Sequence, residues 1–510
     1  MMEGLLQTLP TWIIFSPLFG VLVLLFLPRA QTAWLRGVGV AATVPPLLLA
    51  VLMAIRFDVT IATVQFQQKI TWFSIPIQQG VGLDFHYHLG VDGLSLPLVV
   101  LTAIIAVLAA IASALYIRER LKGYFTVFLL LEVGMMGVFM ARDLFLFFLF
   151  FEVTLVTLFF LIGIWGAVYR ERAANQFLLY NGVGSALMLL GFIGLLFLFQ
   201  TLDLEQLRQM SANPELGLVM EQDPIIRNLV WTVFLALVIA FGIKLPIFPF
   251  HSWMLRVHTE APPAVVMVHS GVLLKMGAYG LIRFGVDLFP AQVVAIAPWL
   301  GLLGVINILY GAVLAFVQTD LKRVLAFSSV SHMGIILLGI AALNDIGLQG
   351  AVFQAVSHGF ISALLFFFIG ALYQRTRTTD IRELGGLSRS VPVLSGIFLA
   401  GGLALLGLPG MSGFIAEFQA FLGFFSPFPV LAAIGVIGLI LTAVYTLRAV
   451  MQINFGPISE RWASLSDLKA KEAAPMLVML GLIMLIGVWP AVLGDPMQTT
   501  IQTIVSKIGG

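Results

Sequence analysis

The chain has 510 residues, of which 60% are hydrophobic and only 10% are charged, whereas soluble domains carry roughly 25% charged residues. The composition therefore predicts an integral membrane protein. A formal net charge of +2 gives no reason to expect nucleic acid as a partner. The absence of cysteine excludes disulfides, thiolate metal sites and cysteine-ligated iron–sulfur clusters.

Fourteen stretches are apolar enough to cross a bilayer, which takes roughly 20 residues of helix. They are 11–27, 37–55, 93–116, 124–140, 143–166, 175–199, 228–253, 262–284, 292–317, 321–342, 348–374, 393–424, 428–453 and 474–494. No Lys or Arg precedes the first stretch and no convincing cleavage site follows it, so we expect a retained span. We predict an all-α integral membrane protein of about fourteen transmembrane helices.

Lysine and arginine are distributed unevenly between the connections. The odd-numbered connections hold seventeen of them and the even-numbered connections hold six. Cytoplasmic loops of membrane proteins carry an excess of these residues. The pattern therefore predicts that the odd connections lie in the cytoplasm and that both termini lie on the outer face.

Eight acidic, lysine or histidine side chains lie well inside the predicted spans, away from their ends. A charge at the centre of a membrane helix costs at least ~2.5 to 3.5 kcal/mol, so such residues face a protein interior or water and usually have a partner. They are Glu132, Glu152, Lys244, His269, Lys275, His332, His358 and Glu417. Several such residues in one chain call for a shared explanation.

Proline interrupts the seventh and twelfth spans, at Pro246, Pro249 and Pro409. Because proline cannot continue the helical hydrogen-bond ladder, we expect both helices to be broken at membrane depth. Lys244 lies just before the first break and Glu417 shortly after the second. Broken helices in two corresponding halves are typical of inverted-repeat transporters, whose ion site lies where the backbone unwinds. The two spans are five helices apart, and an odd offset means opposite orientations.

These residue types suggest a proton relay. Burial makes an ammonium group release its proton more readily, while a nearby carboxylate opposes that release. Glu152 close to Lys244 would therefore control whether the lysine holds its proton. Imidazole carries protons near physiological pH. The relay would continue through Lys275, His332 and His358, with Glu417 as the last station towards one face.

The same residues also have structural interpretations. A single buried histidine is more often a hydrogen-bonded packing residue, and this interpretation is favoured for His269. Glu152 and Lys244 are alternatively a static ion pair, and no role is assigned to Glu132. His258 is expected to cap a helix or to line an entrance.

Nine motifs, collinear over about residues 80–455, resemble the antiporter-like subunits of respiratory complex I, the proton-pumping NADH:quinone oxidoreductase. The motifs are Gly90-Val-Asp-Gly-Leu-Ser-Leu-Pro97, Phe150-Phe-Glu152, Lys244-Leu-Pro246, His258-Thr-Glu-Ala-Pro262, Gly271-Val-Leu-Leu-Lys-Met-Gly277, Gln318-Thr-Asp-Leu-Lys-Arg323, Ser328-Ser-Val-Ser-His-Met-Gly334, Ser357-His-Gly359 and Gly407-Leu-Pro-Gly410. Together they are highly specific. The large subunits of Mrp cation/proton antiporters are related to this family.

The resemblance implies a domain organisation. Residues 1–116 would hold helices 1–3, residues 124–284 and 292–453 would form two inverted five-helix repeats, and residues 474–494 would form helix 14. The resemblance also assigns residues by motif. It matches Glu152 and Lys244 to the family's glutamate–lysine pair, Lys275 to its bridging lysine, and His332 and His358 to its central axis. Relatives of the L and N type usually have lysine at the position of Glu417, so glutamate indicates the M-type subunit.

Two positions depart from the family pattern. Met254-Leu-Arg256 replaces the usual Leu-Pro-Asp, and His269 lies where small or apolar residues are commoner. These departures concern the proton entrance expected near residues 254–270, and not the residues matched to the family's central axis.

The resemblance implies proton translocation coupled to electron transfer from NADH to quinone. No cofactor or metal is expected in this chain, while NADH, FMN, iron–sulfur clusters and quinone are expected in other subunits. The expected partners are lipid and the other membrane subunits, including neighbouring antiporter-like subunits. The expected location is an energy-conserving membrane such as the bacterial plasma membrane.

Three alternatives remain open at this point. A subunit of a multisubunit Na⁺/H⁺ antiporter, or a hydrogenase-linked relative, shares the fold and would differ in sodium dependence. A haem-binding electron carrier of cytochrome b type would use His332 and His358 as axial ligands. A scaffold subunit would hold its neighbours without conducting protons.

Overall fold

The computed structural model describes residues 6–78, 81–213, 222–458 and 460–508, and most of these residues are helical. The first half contains α1 (Leu9–Phe26), α2 (Thr32–Ala41), α3 (Val44–Arg56), α4 (Leu96–Tyr116), α5 (Leu121–Met140), α6 (Leu144–Trp165), α7 (Arg170–Phe199), α8 (Leu204–Ser211), α9 (Pro224–Lys244) and α10 (Ser252–Glu260). The next helix, α11 (Pro263–Val286), includes two π-helical turns, His269–Leu273 and Leu281–Val286.

The second half is also helical. It contains α12 (Pro290–Val317), α13 (Leu321–Ala341), α14 (Asp345–Thr376), α15 (Pro392–Leu405), α16 (Ser412–Phe425), α17 (Pro429–Asn454), α18 (Ala470–Val488) and α19 (Ala491–Ser506). Short 3₁₀ turns at Ile381–Glu383, Leu387–Arg389 and Glu460–Trp462 lie in the connections.

The structure confirms the predicted helical membrane fold. Within the described ranges, thirteen helical segments are long and apolar enough to cross a membrane, with α2 and α3 counted as one. The predicted seventh span stops being helical after Lys244, and the predicted twelfth span consists of the shorter apolar helices α15 and α16. Both expected breaks are therefore present.

Three helices, α11, α13 and α14, form the centre of the molecule, and an 18-residue apolar stretch of each is completely buried. Glycines bring α11 and α14 together, because a Cβ atom at Gly271 would contact Gly359 O and a Cβ atom at Gly359 would contact Gly271 O. This close approach places the side chains that follow on α11 against those of α14.

A β-hairpin lies between α3 and α4, where the sequence predicted only a connection. Strands β1 (Gln65–Gln78) and β2 (Val81–Val91) pair in antiparallel register, with Ile70 opposite Tyr87 and Phe73 opposite Phe85. The rings of Phe73 and Phe85 stack with centroids 4.4 Å apart. The hairpin is the one β-sheet in the described part of the chain.

A buried network of charges lies beside the hairpin. Asp92, just after β2, contacts Arg283 Nη2 at 2.6 Å and Arg142 Nη2 at 3.1 Å, and all three side chains are fully buried. Burial raises the pKa of the Asp92 carboxyl, but the two guanidinium groups outweigh it and hold that pKa well below its usual range. The sequence interpretation of Arg142 and Arg283 as loop residues missed this burial, because their partner is distant in the chain.

The network extends to the C-terminal helix. Asp287, at the end of α11, contacts Arg208 Nε and Lys507 Nζ at 2.7 Å each. Lys69 on β1 contacts the buried Asp203 at 2.8 Å. The hairpin, α8, α11 and α19 are thus held together by paired charges.

Two further connections share one backbone arrangement. Asp143 caps α6 and forms a short β-bridge with Asp203, and Asp320 caps α13 and forms the same bridge with Asp380. α6 and α13 correspond to the fifth and tenth predicted spans.

Replacing Asp92 with asparagine should destabilise the chain by about 3–5 kcal/mol, because two buried guanidinium groups lose their counter-charge. A depressed carboxyl pKa contributes stability above the unfolded value of about 3.9 and loses it as pH falls below that value. The deficit of Asp92→Asn should therefore be constant between about pH 8 and 5 and shrink below about pH 4. Thermal unfolding of the purified assembly measures it, with the exposed Asp58→Asn as the control. Equal stability of the two variants would contradict this account.

Candidate functional site

The break after α9 leaves backbone groups without helical partners next to Lys244. Phe248 N–H donates to Asn307 Oδ1 (2.7 Å), and Asn307 Nδ2 donates to Pro246 O (3.3 Å). Asn307 lies on α12 and is fully buried. An unsatisfied backbone group in hydrocarbon costs several kcal/mol, so this side chain stabilises the broken helix.

At the break after α15, a histidine side chain contacts the backbone carbonyl at the end of the helix. His332 Nε2 lies 3.2 Å from the carbonyl oxygen of Leu405, the last residue of α15, and His332 Nδ1 lies 2.8 Å from Ser328 O. A neutral imidazole has one N–H, so both contacts are hydrogen bonds only when the ring is protonated. This break is therefore completed by a group that can bind a proton.

The two breaks have the same backbone hydrogen bonds. Ile247 N–H donates to Gly242 O (2.9 Å) in the first, and Leu408 N–H donates to Leu403 O (3.0 Å) in the second. Each bond spans five residues instead of the four of an α-helix. The two breaks therefore share the same local backbone conformation.

Lys244 is almost fully buried, and its ammonium group has no hydrogen-bond acceptor. Nζ lies 4.7 Å from the ring centroid of Phe151 and 5.7 Å from that of Phe177, which are cation–π contacts. Glu152 acts on this charge electrostatically but does not form an ion pair with it. The predicted glutamate and lysine therefore form no ion pair in this structure, which argues against a static pair.

Two histidines are hydrogen bonded to each other in the interior. His258 Nε2, at the end of α10, lies 3.0 Å from His269 Nδ1, at the first π-helical turn of α11. Their ring centroids are 5.1 Å apart. The expected location of His258 at an entrance is wrong, because its side chain is fully buried.

Lys275 lies at the centre and connects α11 to α14. Its Nζ donates to Ser270 O and lies 2.8 Å from His358 Nδ1. The ring of His358 has its centroid 5.3 Å from that of His332. His332 Nε2 lies 3.6 Å from Glu417 Oε1. Four of the predicted residues thus form one chain of contacts.

We call the whole series the polar axis; it consists of Glu152, Lys244, His269, His258, Lys275, His358, His332 and Glu417. Buried polar groups in proteins nearly always have a partner. Six buried side-chain atoms of the axis residues, however, have no hydrogen-bond partner, and neither has the neighbouring Ser270 Oγ; the six are Glu152 Oε1, Lys244 Nζ, His258 Nδ1, His269 Nε2, His358 Nε2 and Glu417 Oε1. Such open groups, arranged in a series, suit passing protons or bound water.

No hydrogen bond links Lys244 to the other residues predicted for the relay. The structure joins four of the six by direct contacts, Lys275, His358, His332 and Glu417, and it adds His258 and His269. The departure of His269 from the family pattern was the available signal for the second of these. Glu132 is fully buried and neither of its carboxyl oxygens has a hydrogen-bond partner. Within the described ranges, no hydrogen bond or ion pair joins Glu132 to the polar axis.

The chain is a polytopic helical membrane protein with two broken helices and a buried series of protonatable groups. The family described as "NADH:quinone oxidoreductase/Mrp antiporter, TM" matches residues 141–448, and "NADH-ubiquinone oxidoreductase chain 4, amino terminus" matches residues 40–142. The chain belongs to this family of NADH:quinone oxidoreductase membrane subunits.

Relatives match over nearly the whole chain. NAD(P)H-quinone oxidoreductase chain 4 1 of Synechococcus sp. (strain JA-2-3B'a(2-13)) is 38% identical, covering 96% of this chain and 93% of the relative. NADH-quinone oxidoreductase subunit M of Rhodobacter capsulatus is 36% identical, covering 98% and 97%. These names agree with the M-type assignment made from Glu417.

Solved structures share the fold. A chain of respiratory complex I from Thermus thermophilus with bound NADH superposes with a TM-score of 0.85 at 29% identity, over 98% of this chain and 100% of that one. A chain of the Mrp complex from Dietzia sp. DQ12-45-1b superposes with a TM-score of 0.84 at 21% identity, covering 99% and 100%. The second match shows the common fold alone.

Replacing Gly407 with alanine should impair proton pumping, because the added Cβ would collide with the Glu417 carboxylate. Gly407 also has a φ of +77°, and Gly410 has a φ of +90° with open space around its Cβ position. Both alanine variants should therefore lose about 1–2 kcal/mol from backbone strain, but only Gly407→Ala should displace Glu417. Pumping per assembled complex measures the difference. Equal impairment by Gly410→Ala would mean that strain, and not the carboxylate position, is responsible.

Proposed function

We propose that this chain conducts protons along the polar axis as the M-type subunit of an NADH:quinone oxidoreductase. The observation that carries the proposal is the 2.8 Å contact of Lys275 Nζ with His358 Nδ1 in the enclosed centre. An ammonium group that donates to an imidazole lone pair can transfer its proton along that bond. A purely structural pair would join a cation to an anion.

The surroundings of Lys244 suit uptake and release of a proton, controlled by the charge of Glu152. The ammonium group is held by aromatic faces and lacks a hydrogen-bond acceptor. Approach of the Glu152 carboxylate stabilises the charged lysine, and its withdrawal favours loss of the proton. Because the two groups are close but not bonded, a small rearrangement of α6 or α9 would change the lysine's charge state.

The surroundings of Glu417 suit delivery of a proton from His332 to its carboxylate. His332 stands between His358 and the Glu417 carboxylate, at 3.6 Å from the latter. When His332 gives a proton to Glu417, it loses one of its two hydrogen bonds to backbone carbonyls, those of Ser328 and Leu405. Delivery is therefore linked to the geometry of the break after α15.

Electron transfer, in this proposal, takes place in other subunits, which hold NADH, FMN, the iron–sulfur clusters and quinone. The relatives are named as subunits or chains of a quinone oxidoreductase, which supports partners in the same membrane complex, including antiporter-like neighbours. The haem alternative is disfavoured, because both ring nitrogens of His332 face backbone carbonyl oxygens and leave none for axial ligation.

We also propose that both termini lie outside an energy-conserving membrane such as the bacterial plasma membrane. Four of the six basic residues in the even-numbered connections are neutralised by aspartates; these are Lys69, Arg142, Arg208 and Arg283. The orientation itself is supported by the count of seventeen Lys and Arg residues in the odd-numbered connections against six in the even-numbered ones.

Two inverted repeats, 124–284 and 292–453, are part of the same proposal. The shared bridge of Asp143 with Asp203 and of Asp320 with Asp380 supports them. The identical hydrogen-bond pattern at the two helix breaks supports them as well.

The decisive experiment is NADH-driven proton pumping by membrane vesicles carrying Lys244→Ala or Lys275→Ala in the intact assembly. Loss of a proton-transfer group typically costs 10²–10⁴-fold, so we expect pumping to fall by roughly 10²-fold at a normal assembly level. Lys469→Ala, at an exposed connection, is the control and should pump normally.

Normal pumping by both buried-lysine variants would contradict conduction and favour the scaffold role. The sodium alternative is tested in the same vesicles by replacing Na⁺ with K⁺. Pumping that requires Na⁺ would favour a cation/proton antiporter, whereas the proposal expects no dependence on sodium.

A further inference from the structure

No direct contact joins the two buried lysines. Lys244 Nζ faces aromatic rings, whereas Lys275 Nζ contacts Ser270 O and His358. Proton transfer needs groups within hydrogen-bonding reach at each step. A proton that moves between these lysines therefore needs an intermediate carrier.

His269 lies beside groups that contact each of the two lysines, and His258 is hydrogen bonded to it. The ring centroid of Phe177 lies 5.7 Å from Lys244 Nζ and 6.3 Å from the ring of His269. The carbonyl oxygen of Ser270, the residue after His269, accepts a hydrogen bond from Lys275 Nζ. Both lysines act electrostatically on His269, and Lys275 also acts on His258.

The free nitrogens of the pair lie at its two ends. His258 Nδ1 and His269 Nε2 are buried and have no hydrogen-bond partner. A neutral imidazole has one donor and one acceptor nitrogen. With the bridging proton on His258 Nε2, His258 Nδ1 is a free acceptor and His269 Nε2 is a free donor. The pair can then accept a proton at one end and release another at the opposite end.

Packing alone does not account for this arrangement. A buried polar atom without a partner costs about 1–3 kcal/mol, and an apolar residue at position 269 would fill the space without that cost. The π-helical turn that starts at His269 is a further departure from regular structure, of a kind frequent at functional sites.

We propose that His258 and His269 form a two-imidazole proton relay between Lys275 and Lys244; this step rests on the conduction proposed above. A proton from Lys275 binds His258 Nδ1, the bridging proton moves from His258 Nε2 to His269 Nδ1, and the proton on His269 Nε2 leaves towards Lys244. One proton enters and one leaves, both rings end neutral, and transfer in the opposite direction uses the same atoms. The proton on each ring then moves to the nitrogen that was protonated at the start, which restores the starting state of the pair.

The test uses His269→Gln and His258→Gln in the intact complex, measured as NADH-driven protons pumped per assembled complex. Glutamine keeps a side-chain donor and acceptor but does not relay a proton between two ring nitrogens. Because water can replace part of the path, we expect a loss of roughly tenfold, less than for a lysine variant. His251→Gln is the matched control, since His251 is a buried histidine packed on Phe248 outside the polar axis, and it should pump normally.

Chemical rescue separates relay from packing. Added imidazole should restore pumping by His269→Ala, because it supplies the missing proton carrier, and it should not affect Lys244→Ala. Normal pumping by both glutamine variants, or failure of imidazole to rescue His269→Ala, overturns the histidine relay. If the glutamine variants pump normally while the lysine variants do not, conduction along the axis stands and only the relay fails. Normal pumping by the lysine variants overturns both.

Discussion

Every polar group at membrane depth must find its partner inside the protein, and the arrangement of this chain follows from that constraint. Proline makes the constraint severe at two places by freeing backbone carbonyls within the bilayer. Asn307 forms hydrogen bonds with the free backbone groups of the first break, and His332 contacts a backbone carbonyl oxygen at the second. The helices that carry or enclose these side chains are therefore fixed relative to each other, which positions Lys244 and Glu417 at the two breaks.

The difference between the two solutions has a functional consequence. Asn307 has the same donors and acceptors in every protonation state of the protein, so the first break is insensitive to charge. His332 contacts two carbonyl oxygens and makes both hydrogen bonds only as an imidazolium. The second break is therefore tighter when the axis holds a proton at His332. In the proposed conduction, proton occupancy and local helix geometry are therefore coupled at His332.

The sequence predicted what depends on composition and on local chemistry. Lipid-facing spans follow from apolar length, and both breaks follow from the covalent structure of proline, as the ends of α9 and α15 confirm. The charge network was missed because Asp92 and Arg283 lie far apart in the chain, and no periodicity reports such a contact. The His258–His269 contact was missed for a related reason. The turn between α10 and α11 decides it, and turn geometry is not encoded in hydropathy.

The same residue types serve opposite purposes in two parts of the molecule. Beside the hairpin, Asp92 lies between two guanidinium groups that hold its pKa well below the usual range. Neither arginine can lose its proton, so this network stays charged and joins elements rigidly. Along the axis, Lys275 Nζ contacts an imidazole nitrogen of His358, and several polar atoms have no hydrogen-bond partner. Full pairing stabilises structure, whereas in the proposed conduction the incomplete pairing along the axis leaves sites between which a proton moves.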